Sequence, residues 1–450
     1  MKVDRMTSQP EVTIIVTSYN RRSSLERCLL SLARQAGLPA AAYEVVVADD
    51  GSSDGSNEMV RSLSMDLPYR LRVVTQVHNG YQKARIMNRA VLMSEGQYLL
   101  LTDADCIFRA DYVRTQLADR QSGTAWAGDC IRLSKDDSER ITKDSIISGY
   151  FMSLVPTRLP QELRTRHHKN LFYALIKHPS KPKLVGWNVA VWAKDLFAIN
   201  GFDENFVGWG CEDDDLAMRL RQSGVRIKSN ASRNYGYHLW HEVDPTAPVN
   251  WCDGANVPYL LRPMVFQRCL NGVEKRGIDD LSICISADRA KVTSSELRIV
   301  DEIARRLGQV PGDLGSSNVS EAELEVRFGD SRVSASWSSV NRIQVLLDGK
   351  SVRPTRVRPH LVIDTANCSA TSVTPKLRVF NPNAGDDCIS SENESAITQP
   401  QPWRIADWLI EEIENAINGD RLAAKDLLQP EKPGDAERNQ IPIGHRRQAA

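Results

Sequence analysis

The chain has 450 residues, and its 57 lysines and arginines balance 57 aspartates and glutamates. This length exceeds one average core and predicts two or three domains, while the balanced charge argues against bulk nucleic-acid binding and against an acidic tail. No apolar run has the length of a membrane span, and the first residues lack the apolar core of a secretory signal. The nine cysteines are never spaced as CxxC, which favours reduced thiols in a cytosol over disulfides or a zinc site.

The first hundred residues alternate between strand and helix patterns. Short apolar or β-branched runs that end in polar residues predict buried strands, and apolar residues at helical spacing predict helices. Such alternation predicts a parallel sheet covered by helices, with polar clusters at the carboxyl ends of the strands, where open α/β sheets bind ligands. The predicted strands lie in 11–20, 43–56, 71–80 and 96–108, and the predicted helices in 22–35 and 81–94.

The rest of the chain is less regular. Residues 110–185 are predicted to be helical and loop-like, and their basic stretch at 164–170 is interpreted as solvated or as facing a substrate. From about residue 255, a helix over 295–308 and several alternating segments predict a smaller β-rich module. An amphipathic helix is predicted over 403–417, and the last twenty residues are polar and predicted to be disordered.

Two acidic pairs end predicted strands. Asp103 and Asp105 are separated by one alanine, and two carboxylates at this spacing can address one hard cation and its hydration shell. The alternative for this pair is an ordinary polar strand end. Asp50 follows Asp49, and its carboxylate could accept from the imide N–H of uracil or from a ribose hydroxyl. The alternative there is a turn that uses Asp and Gly for its geometry.

Basic and imidazole side chains could complete such a site. Lys83, Arg85 and Asn88 follow a turn at the start of a predicted helix, and helix N-termini and guanidinium groups are good diphosphate partners. The alternative is that Arg85 is merely exposed.

His238 and His241 lie three apart in HLWH. A lone histidine is more often structural, but two of them near acids favour metal ligation. Aspartate with histidine suits Mn²⁺ better than Mg²⁺, because imidazole is the softer ligand.

The segment GWGCEDDDLAMRL places four acids before two leucines at helical spacing. Leu216 and Leu220 share one helix face, so Glu212 and the three aspartates after it would form the cap and first turn, where carboxylates are favoured. Four adjacent acids repel one another and exceed what capping needs, so a functional role competes with capping. Trp209 lies between two glycines, and its ring could serve a ligand or pack in the core.

Seven motifs in this order resemble the family 2 glycosyltransferases, which have the GT-A fold. They are IIVTSYNR, VVVADDGSSDGS, HNGYQKARIMNRA, LLLTDADC, GWN, GFDENFVGWGCEDDDLAMRL and HLWH, and they span about residues 11–245. The second half of the pattern is similar to the galactosyltransferase C-terminal region of β-1,4-galactosyltransferases, which chondroitin-polymerase-type enzymes share. The resemblance implies a Rossmann-like, mostly parallel α/β sheet flanked by helices, followed by a smaller β-rich module.

The resemblance also implies a role for each matching residue. Asp213 would be the catalytic base, and Glu212 would contact the acceptor or donor sugar. Trp209 would offer its ring to a sugar, and Cys211 departs from the small residue usual at its position. The implied ligands of a Mn²⁺ or Mg²⁺ ion are Asp105, His241 and His238, and the positions implied to lie near the nucleotide or the donor sugar are Thr17, Asp50, Arg85, Asp103 and Asn188.

The implied reaction is metal-dependent transfer, with inversion, of a hexose or N-acetylhexosamine from a UDP-sugar to a hydroxyl of a glycan or glycolipid. A nucleotidyltransferase is one alternative, but no glycine-rich phosphate loop follows the first strand. A non-catalytic carbohydrate-binding or scaffold protein is another, and loss of an acid from either cluster would signal it. A dinucleotide oxidoreductase is disfavoured because no GxGxxG follows the first strand.

The pattern divides the chain into four parts. These are a flexible N-terminus (1–10), a GT-A glycosyltransferase domain (11–255), a helical and β-rich accessory module (256–425) and a disordered tail (426–450). We expect a cytoplasmic enzyme that binds no nucleic acid and could associate peripherally with the inner membrane face. The accessory module could bind acceptor glycan or a partner protein.

Overall fold

A computed structural model shows a mostly parallel seven-stranded sheet with helices packed on both faces. The structure describes residues 9–156, 158, 160–176, 178, 180–244, 247–262, 265–277, 280–287, 294–306, 322–328, 341–346, 361–364, 369–372 and 377–379. Among the helices in these ranges, none combines the length and apolar character needed to cross a bilayer.

The first hundred residues fold as the alternation predicts, with one additional helix, α2. The elements are β1 (Val12–Ser18), α1 (Arg22–Leu32), β2 (Tyr43–Asp49), α2 (Ser56–Leu63), β3 (Arg70–Thr75), α3 (Lys83–Met93) and β4 (Tyr98–Asp103). All four strands are parallel and lie in the order β3-β2-β1-β4. The predicted parallel sheet is therefore confirmed.

The next segment widens this sheet and adds a second, smaller one. Its elements are β5 (Cys106–Ile107), α4 (Tyr112–Asp119), β6 (Thr124–Ala127), β7 (Asp129–Arg132), α5 (Lys135–Arg140), α6 (Lys143–Ser148), α7 (Phe151–Leu154), α8 (Gln161–Leu175), β8 (Val189–Trp192), α9 (Ala193–Ala198), α10 (Glu212–Gln222), β9 (Arg226–Ser229) and β10 (Tyr235–His238). The large sheet has the order β3-β2-β1-β4-β8-β6-β9, and the small one β5-β10-β7. Strands β6 to β10 were not predicted, because four residues are too few for a clear period-two pattern.

The central strands bury both faces, which explains their continuous apolar sequences. In β1, Ile14 and Val16 belong to one apolar cluster and Ile15 to another, because successive side chains of a strand point to opposite faces. The first cluster packs against α1, α2, α4, α6 and α7. The second packs against α3, α9 and α10, and it contains Leu216 and Leu220 at the predicted helical spacing.

Strand register sets which polar residues meet at the carboxyl edge. In the β1–β4 pair, Thr17 lies opposite Asp103, and the carbonyl of Thr17 accepts from the N–H of Ala104. In the small sheet, His238 of β10 pairs with Cys106 of β5, the residue directly after Asp105. Residues more than a hundred positions apart are thereby brought to one edge.

In its described residues, the C-terminal part contains two helices and a second large sheet. Its elements are α11 (Val257–Leu260), β11 (Ile283–Ala287), α12 (Ser294–Arg306), β12 (Leu324–Phe328), β13 (Asn341–Leu346), β14 (Leu361–Asp364), β15 (Ser369–Ser372) and β16 (Leu377–Val379). Four parallel strands, β11 to β14, are followed by the antiparallel β15 and β16. The predicted helix at 403–417 and the polar tail lie outside the described residues, and the division into four parts stays a prediction.

A buried ion-pair network fixes α10 to the segments around it. The Asp215 carboxylate accepts from Arg219 Nε at 2.6 Å and from Arg262 Nη2 at 3.0 Å. Arg219 is fully buried and also donates to the carbonyls of Ile199 and Gly201. One arginine thus ties α10 to the end of α9.

We expect Arg219→Leu to destabilise the fold by about 3–5 kcal/mol, because it leaves part of a buried charge network uncompensated. The matched control is Arg140→Leu, which removes an arginine whose side chain is mostly exposed and should leave stability within error. Urea unfolding of both variants measures the difference. Equal midpoints for the two variants would mean that the network does not hold α10.

Candidate active site

A carboxylate and two imidazoles converge beside β4. Asp105 is buried, and its two oxygens lie 3.3 Å from His238 Nε2 and 3.1 Å from His241 Nε2. Ligand atoms of all three residues lie within 4.8 Å of one another. Burial raises the pKa of Asp105, but the hydrogen bond from His241 and the charges of both imidazoles outweigh it, so the pKa is lowered. The same hydrogen bond raises the pKa of His241.

The surroundings of the histidines orient their rings. His241 Nδ1 lies 2.6 Å from the carbonyl of Glu242, a contact in which Nδ1 donates, so Nε2 would be free to coordinate an ion that replaced its hydrogen bond to Asp105. This is the usual way in which an outer partner sets the tautomer of a metal-binding histidine. The His238 ring packs edge-on against Trp187, with centroids 5.5 Å apart. The ligand atoms of the predicted trio are therefore close enough together to hold one metal ion.

A second cluster surrounds one lysine. Lys83 Nζ lies 3.1 Å from Asp103 Oδ1 and 3.8 Å from Glu212 Oε1. Burial lowers its pKa, but Asp103, Tyr81, Asp213 and Glu212 outweigh that effect and raise the pKa well above the ordinary lysine value. The ammonium is therefore charged and compensates part of the acid cluster. The resemblance implies a role near the nucleotide for Arg85 and none for Lys83, and the helical pattern alone does not show which cation of α3 meets the acids.

Asp103 links this cluster to β1. Thr17 Oγ1 donates to Asp103 Oδ1 at 2.6 Å, and the same carboxylate oxygen faces Lys83. Because Asp103 ends β4 two residues before Asp105, the lysine cluster and the carboxylate–histidine trio adjoin at one end of that strand. Asp103 therefore contacts Thr17 and Lys83, whereas Asp105 contacts the two histidines.

Gly186 makes room for the acid–lysine cluster. Its N–H donates to Asp213 Oδ2 at 2.8 Å. A Cβ at this position would lie 2.5 Å from Lys83 Nζ and 2.9 Å from Asp213 Oδ2, which is closer than real contacts permit. A side chain in place of the glycine of the GWN motif would therefore have to displace the Lys83 ammonium and the Asp213 carboxylate.

The acids at the start of α10 have different surroundings. Burial, and then the charge of Asp213, raises the pKa of Glu212 to about 7, and Glu212 Oε2 is buried with no hydrogen-bond partner among the described residues. Burial also raises the pKa of Asp213, against the opposing charge of Lys83. Asp214 instead pairs with Lys183 at 2.9 Å. Glu212 can therefore exchange a proton near neutral pH.

Asp49 and Asp50 form a supported corner after β2. Asp49 accepts from the side chains of Thr75 and Asn57 and from the backbone of Ser52, so the turn interpretation holds for this residue. Asp50 is buried and accepts from Gln76 Nε2 at 2.6 Å and from the N–H of Gln82 at 2.8 Å. Burial raises the pKa of Asp50. Each of its oxygens retains a lone pair for a further donor.

Asn188 is not available to a sugar, which corrects the assignment from the resemblance. It is fully buried, and its Nδ2 donates to the carbonyls of Asp129 and Asn234. Its Oδ1 accepts from Tyr112 and Gln116. All of its hydrogen-bonding capacity is satisfied by protein groups that join strands β7 and β8 and helix α4.

Trp209 and Arg85 lie on the surface. The Trp209 side chain is 42 % exposed, so it does not pack in the core. Its turn is held by Asn256, whose Nδ2 donates to the carbonyls of Gly208 and Gly210. Arg85 is exposed on α3, where its Nη1 lies 3.2 Å from Gln82 Oε1.

Cys211 has a left-handed backbone conformation, with φ of 75°. Glycine adopts this region at no steric cost, whereas a residue with a Cβ is strained there. A cysteine at this position therefore strains the backbone at the start of α10. The strain lies directly beside Glu212, the first residue of the helix.

Comparison with known proteins assigns the family. Residues 13–177 match Glycosyl transferase family 2, and residues 166–242 match the N-terminal domain of galactosyltransferase. Validoxylamine A glucosyltransferase from Streptomyces hygroscopicus subsp. limoneus is 30% identical over 321 residues, which cover 67% of this chain and 68% of that protein. The chain belongs to glycosyltransferase family 2.

Other relatives of this glycosyltransferase are more distant. Chondroitin synthase from Escherichia coli is 25% identical over 343 residues, covering 65% of this chain and 48% of that protein. A solved structure, the mannosyltransferase PcManGT from Pyrobaculum calidifontis in complex with GDP-Man and Mn²⁺, is 21% identical over 52% of this chain and 59% of that chain, with a TM-score of 0.39. The predicted fold class and the predicted transferase activity are confirmed by the family match.

We expect the pH dependence of stability of this glycosyltransferase to depend on Glu212. Its pKa is about 7 in the folded chain, against an ordinary value of 4.5 that we take for the unfolded chain. Between these two pH values, Glu212 is protonated in the folded state and ionised in the unfolded state. Stability is then lost as pH rises through that window, by at most about 3 kcal/mol. Glu212→Gln should remove this loss, so its stability relative to the unchanged protein should grow from about pH 5 to about pH 8.

Urea unfolding at both pH values measures this effect. Glu58→Gln is the matched control, because Glu58 is an exposed carboxylate in the first turn of α2. A stability difference for Glu212→Gln that does not change with pH would contradict the raised pKa.

Proposed function

We propose that this enzyme transfers a hexose or N-acetylhexosamine from a UDP-sugar to a hydroxyl of a glycan or glycolipid, with inversion. The observation that carries the proposal is the junction of two groups at the end of β4: a carboxylate–histidine trio around Asp105 and an acid–lysine cluster around Asp103. The first suits a divalent ion beside a diphosphate, and the second suits removal of a proton from a hydroxyl. The names glucosyltransferase and chondroitin synthase among the relatives agree with sugar transfer.

The donor atoms near Asp105 fit a divalent ion. One carboxylate and two imidazoles form a mixed oxygen and nitrogen set, which favours Mn²⁺ over Mg²⁺. The ligands would be Asp105, His241 and His238. When bound, the ion would neutralise charge on the departing diphosphate. The hydrogen bond from His241 Nδ1 to Glu242 supports this role, because it leaves Nε2 able to coordinate.

The nucleotide would lie along the carboxyl ends of β1, β2 and β4. Asp50 offers a buried carboxylate held by Gln76 and Gln82, which suits the imide N–H of uracil or a ribose hydroxyl. Thr17 and Asp103 share a hydrogen bond at the ends of β1 and β4, and Asp103 suits the ribose. Arg85 lies next to Gln82 and remains our candidate for the diphosphate rim.

Proton transfer is assigned to the start of α10. Asp213 accepts the proton of an acceptor hydroxyl while that oxygen forms a bond to the anomeric carbon and the bond from this carbon to the diphosphate breaks. UDP leaves, and an α-linked donor gives a β-glycoside. Gly186 holds one oxygen of Asp213 and leaves the other for the hydroxyl. Glu212 would bind a sugar hydroxyl, and the exposed ring of Trp209 would stack on the acceptor.

Two other functions make different predictions for the same assay. A nucleotidyltransferase would release pyrophosphate or join a nucleotide to a sugar phosphate, and a scaffold protein would bind UDP without turnover. The acids of both clusters are intact, which favours catalysis over a scaffold. A screen of UDP-galactose, UDP-N-acetylgalactosamine, UDP-glucose and UDP-glucuronate with Mn²⁺, measuring UDP release, separates these functions and identifies the sugar.

We expect His241→Ala to weaken Mn²⁺ binding by at least about tenfold, because one of three protein ligands is lost. Isothermal titration with Mn²⁺ measures this, and His168→Ala is the control because His168 is exposed on α8. EDTA should abolish UDP release, and Mn²⁺ should restore it. Unchanged Mn²⁺ affinity in His241→Ala would exclude this site.

We expect Asp213→Asn to lower UDP release from the preferred donor by on the order of 10²–10⁴-fold, since general-base assistance is lost. Affinity for UDP with Mn²⁺ should be unchanged, as titration calorimetry can show. Asp214→Asn is the matched control: it neutralises the neighbouring acid, which pairs with Lys183, and should retain most activity. Near-normal turnover by Asp213→Asn would remove this residue from the role of base.

A further inference from the structure

Helix α8 displays an apolar surface at its C-terminal end. The exposed fractions are 47 % for Leu171, 57 % for Phe172, 80 % for Leu175 and 51 % for Ile176. These residues repeat at helical spacing, so they form one stripe. Four large apolar side chains in contact with water over six residues are unfavourable unless something covers them.

The preceding turns of the same helix are basic. Arg164, His168 and Lys169 are exposed, and Arg164 and His168 continue the apolar stripe because they lie seven and three residues before Leu171. Among the described residues, neither Arg164 nor Lys169 takes part in an ion pair. The only carboxylate within α8 is Glu162, in its first turn. We call the surface formed by Arg164, His168, Lys169, Leu171, Phe172, Leu175 and Ile176 the α8 face.

The opposite side of the helix is fixed to the protein. Leu163 and His167 are buried, and His167 Nδ1 lies 3.1 Å from Ser229 Oγ of β9. Arg166 pairs with Asp129 of β7 at 3.0 Å. Contacts in the first two turns therefore hold α8 on the sheet, and the α8 face points away from the sheet.

We propose that the α8 face binds the surface of a bilayer that contains anionic phospholipid. The apolar stripe would enter the acyl boundary, and the cations would contact headgroup phosphates, as in interfacial helices that combine apolar and basic residues. Arg164 lies about 16 Å along the helix axis from Leu175, so a tilted helix places the cations at the headgroups while its end is inserted. A lipid surface fits because it supplies negative charge and apolar cover side by side.

This proposal does not depend on the sugar chemistry. If the proposed function also holds, lipid binding would bring the enzyme to a glycolipid acceptor. The basic stretch at 164–170, for which the sequence allows either a solvated or a substrate-facing position, would then have a defined partner. Failure of lipid binding would leave the proposed transfer reaction untouched, because the two are measured separately.

The test is flotation of the full chain with two kinds of vesicle: phosphatidylcholine alone, and phosphatidylcholine mixed with phosphatidylserine. We expect binding to the mixed vesicles, weakened by salt. The double variant Leu171→Gln/Leu175→Gln should bind at least about tenfold more weakly, because two apolar side chains no longer insert. Arg164→Gln/Lys169→Gln should lose about fivefold for each cation removed.

Matched controls remove the same chemistry elsewhere. Val77→Gln/Leu92→Gln removes two exposed apolar side chains, and Arg61→Gln/Arg226→Gln removes two exposed cations; both should bind as the unchanged chain does. Thermal unfolding midpoints check that every variant is folded. Equal binding to both kinds of vesicle, no binding, or α8 variants that bind like their controls would overturn the proposal. The proposal would also be overturned if light scattering showed that the unchanged chain self-associates and that the Leu171→Gln/Leu175→Gln variant does not. A second copy of the chain would then cover the α8 face.

Discussion

The site depends on how buried negative charge is compensated. Asp103, Glu212 and Asp213 lie around a single ammonium group, that of Lys83. Carboxylates brought together away from water repel one another, and an ion of opposite sign within a few ångströms is what keeps some of them charged. Lys83 therefore connects the end of β4 to the start of α10. In the proposed site, it lies between the residues assigned to the nucleotide and the acid assigned to take up the proton.

Helical geometry gives the four acids of α10 four different surroundings. Successive residues of a helix are rotated by roughly 100° about its axis, so neighbours in sequence face different partners. Glu212 meets Lys83, Asp213 meets Gly186, Asp214 meets Lys183, and Asp215 meets two buried arginines. Only Asp215 is fully used by the fold. Its network with Arg219 and Arg262 holds the helix so that the first two acids stay close to Lys83 and Gly186.

The small sheet has the corresponding role for the histidines. Strand β10 lies between β5 and β7, and its register places His238 beside the residue that follows Asp105. His241 comes three residues later, where the chain has left the strand. The geometry of the trio therefore depends on a strand pairing of only a few residues. The ring of Trp187 packs against the His238 ring and supports it.

The sequence by itself determined the parallel arrangement of β1 to β4, the helical acid cluster and the identities of the trio, because these follow from local periodicity and from motifs in a fixed order. Only the tertiary structure decided which side chains meet. It selected Lys83 over Arg85 as the cation facing the acids, removed Asn188 from the site by satisfying its amide within the core, and gave Gly186 a role. It also showed that α8 ends in an exposed apolar stripe. Side-chain direction and burial depend on contacts between residues far apart in the chain, and no local pattern contains that information.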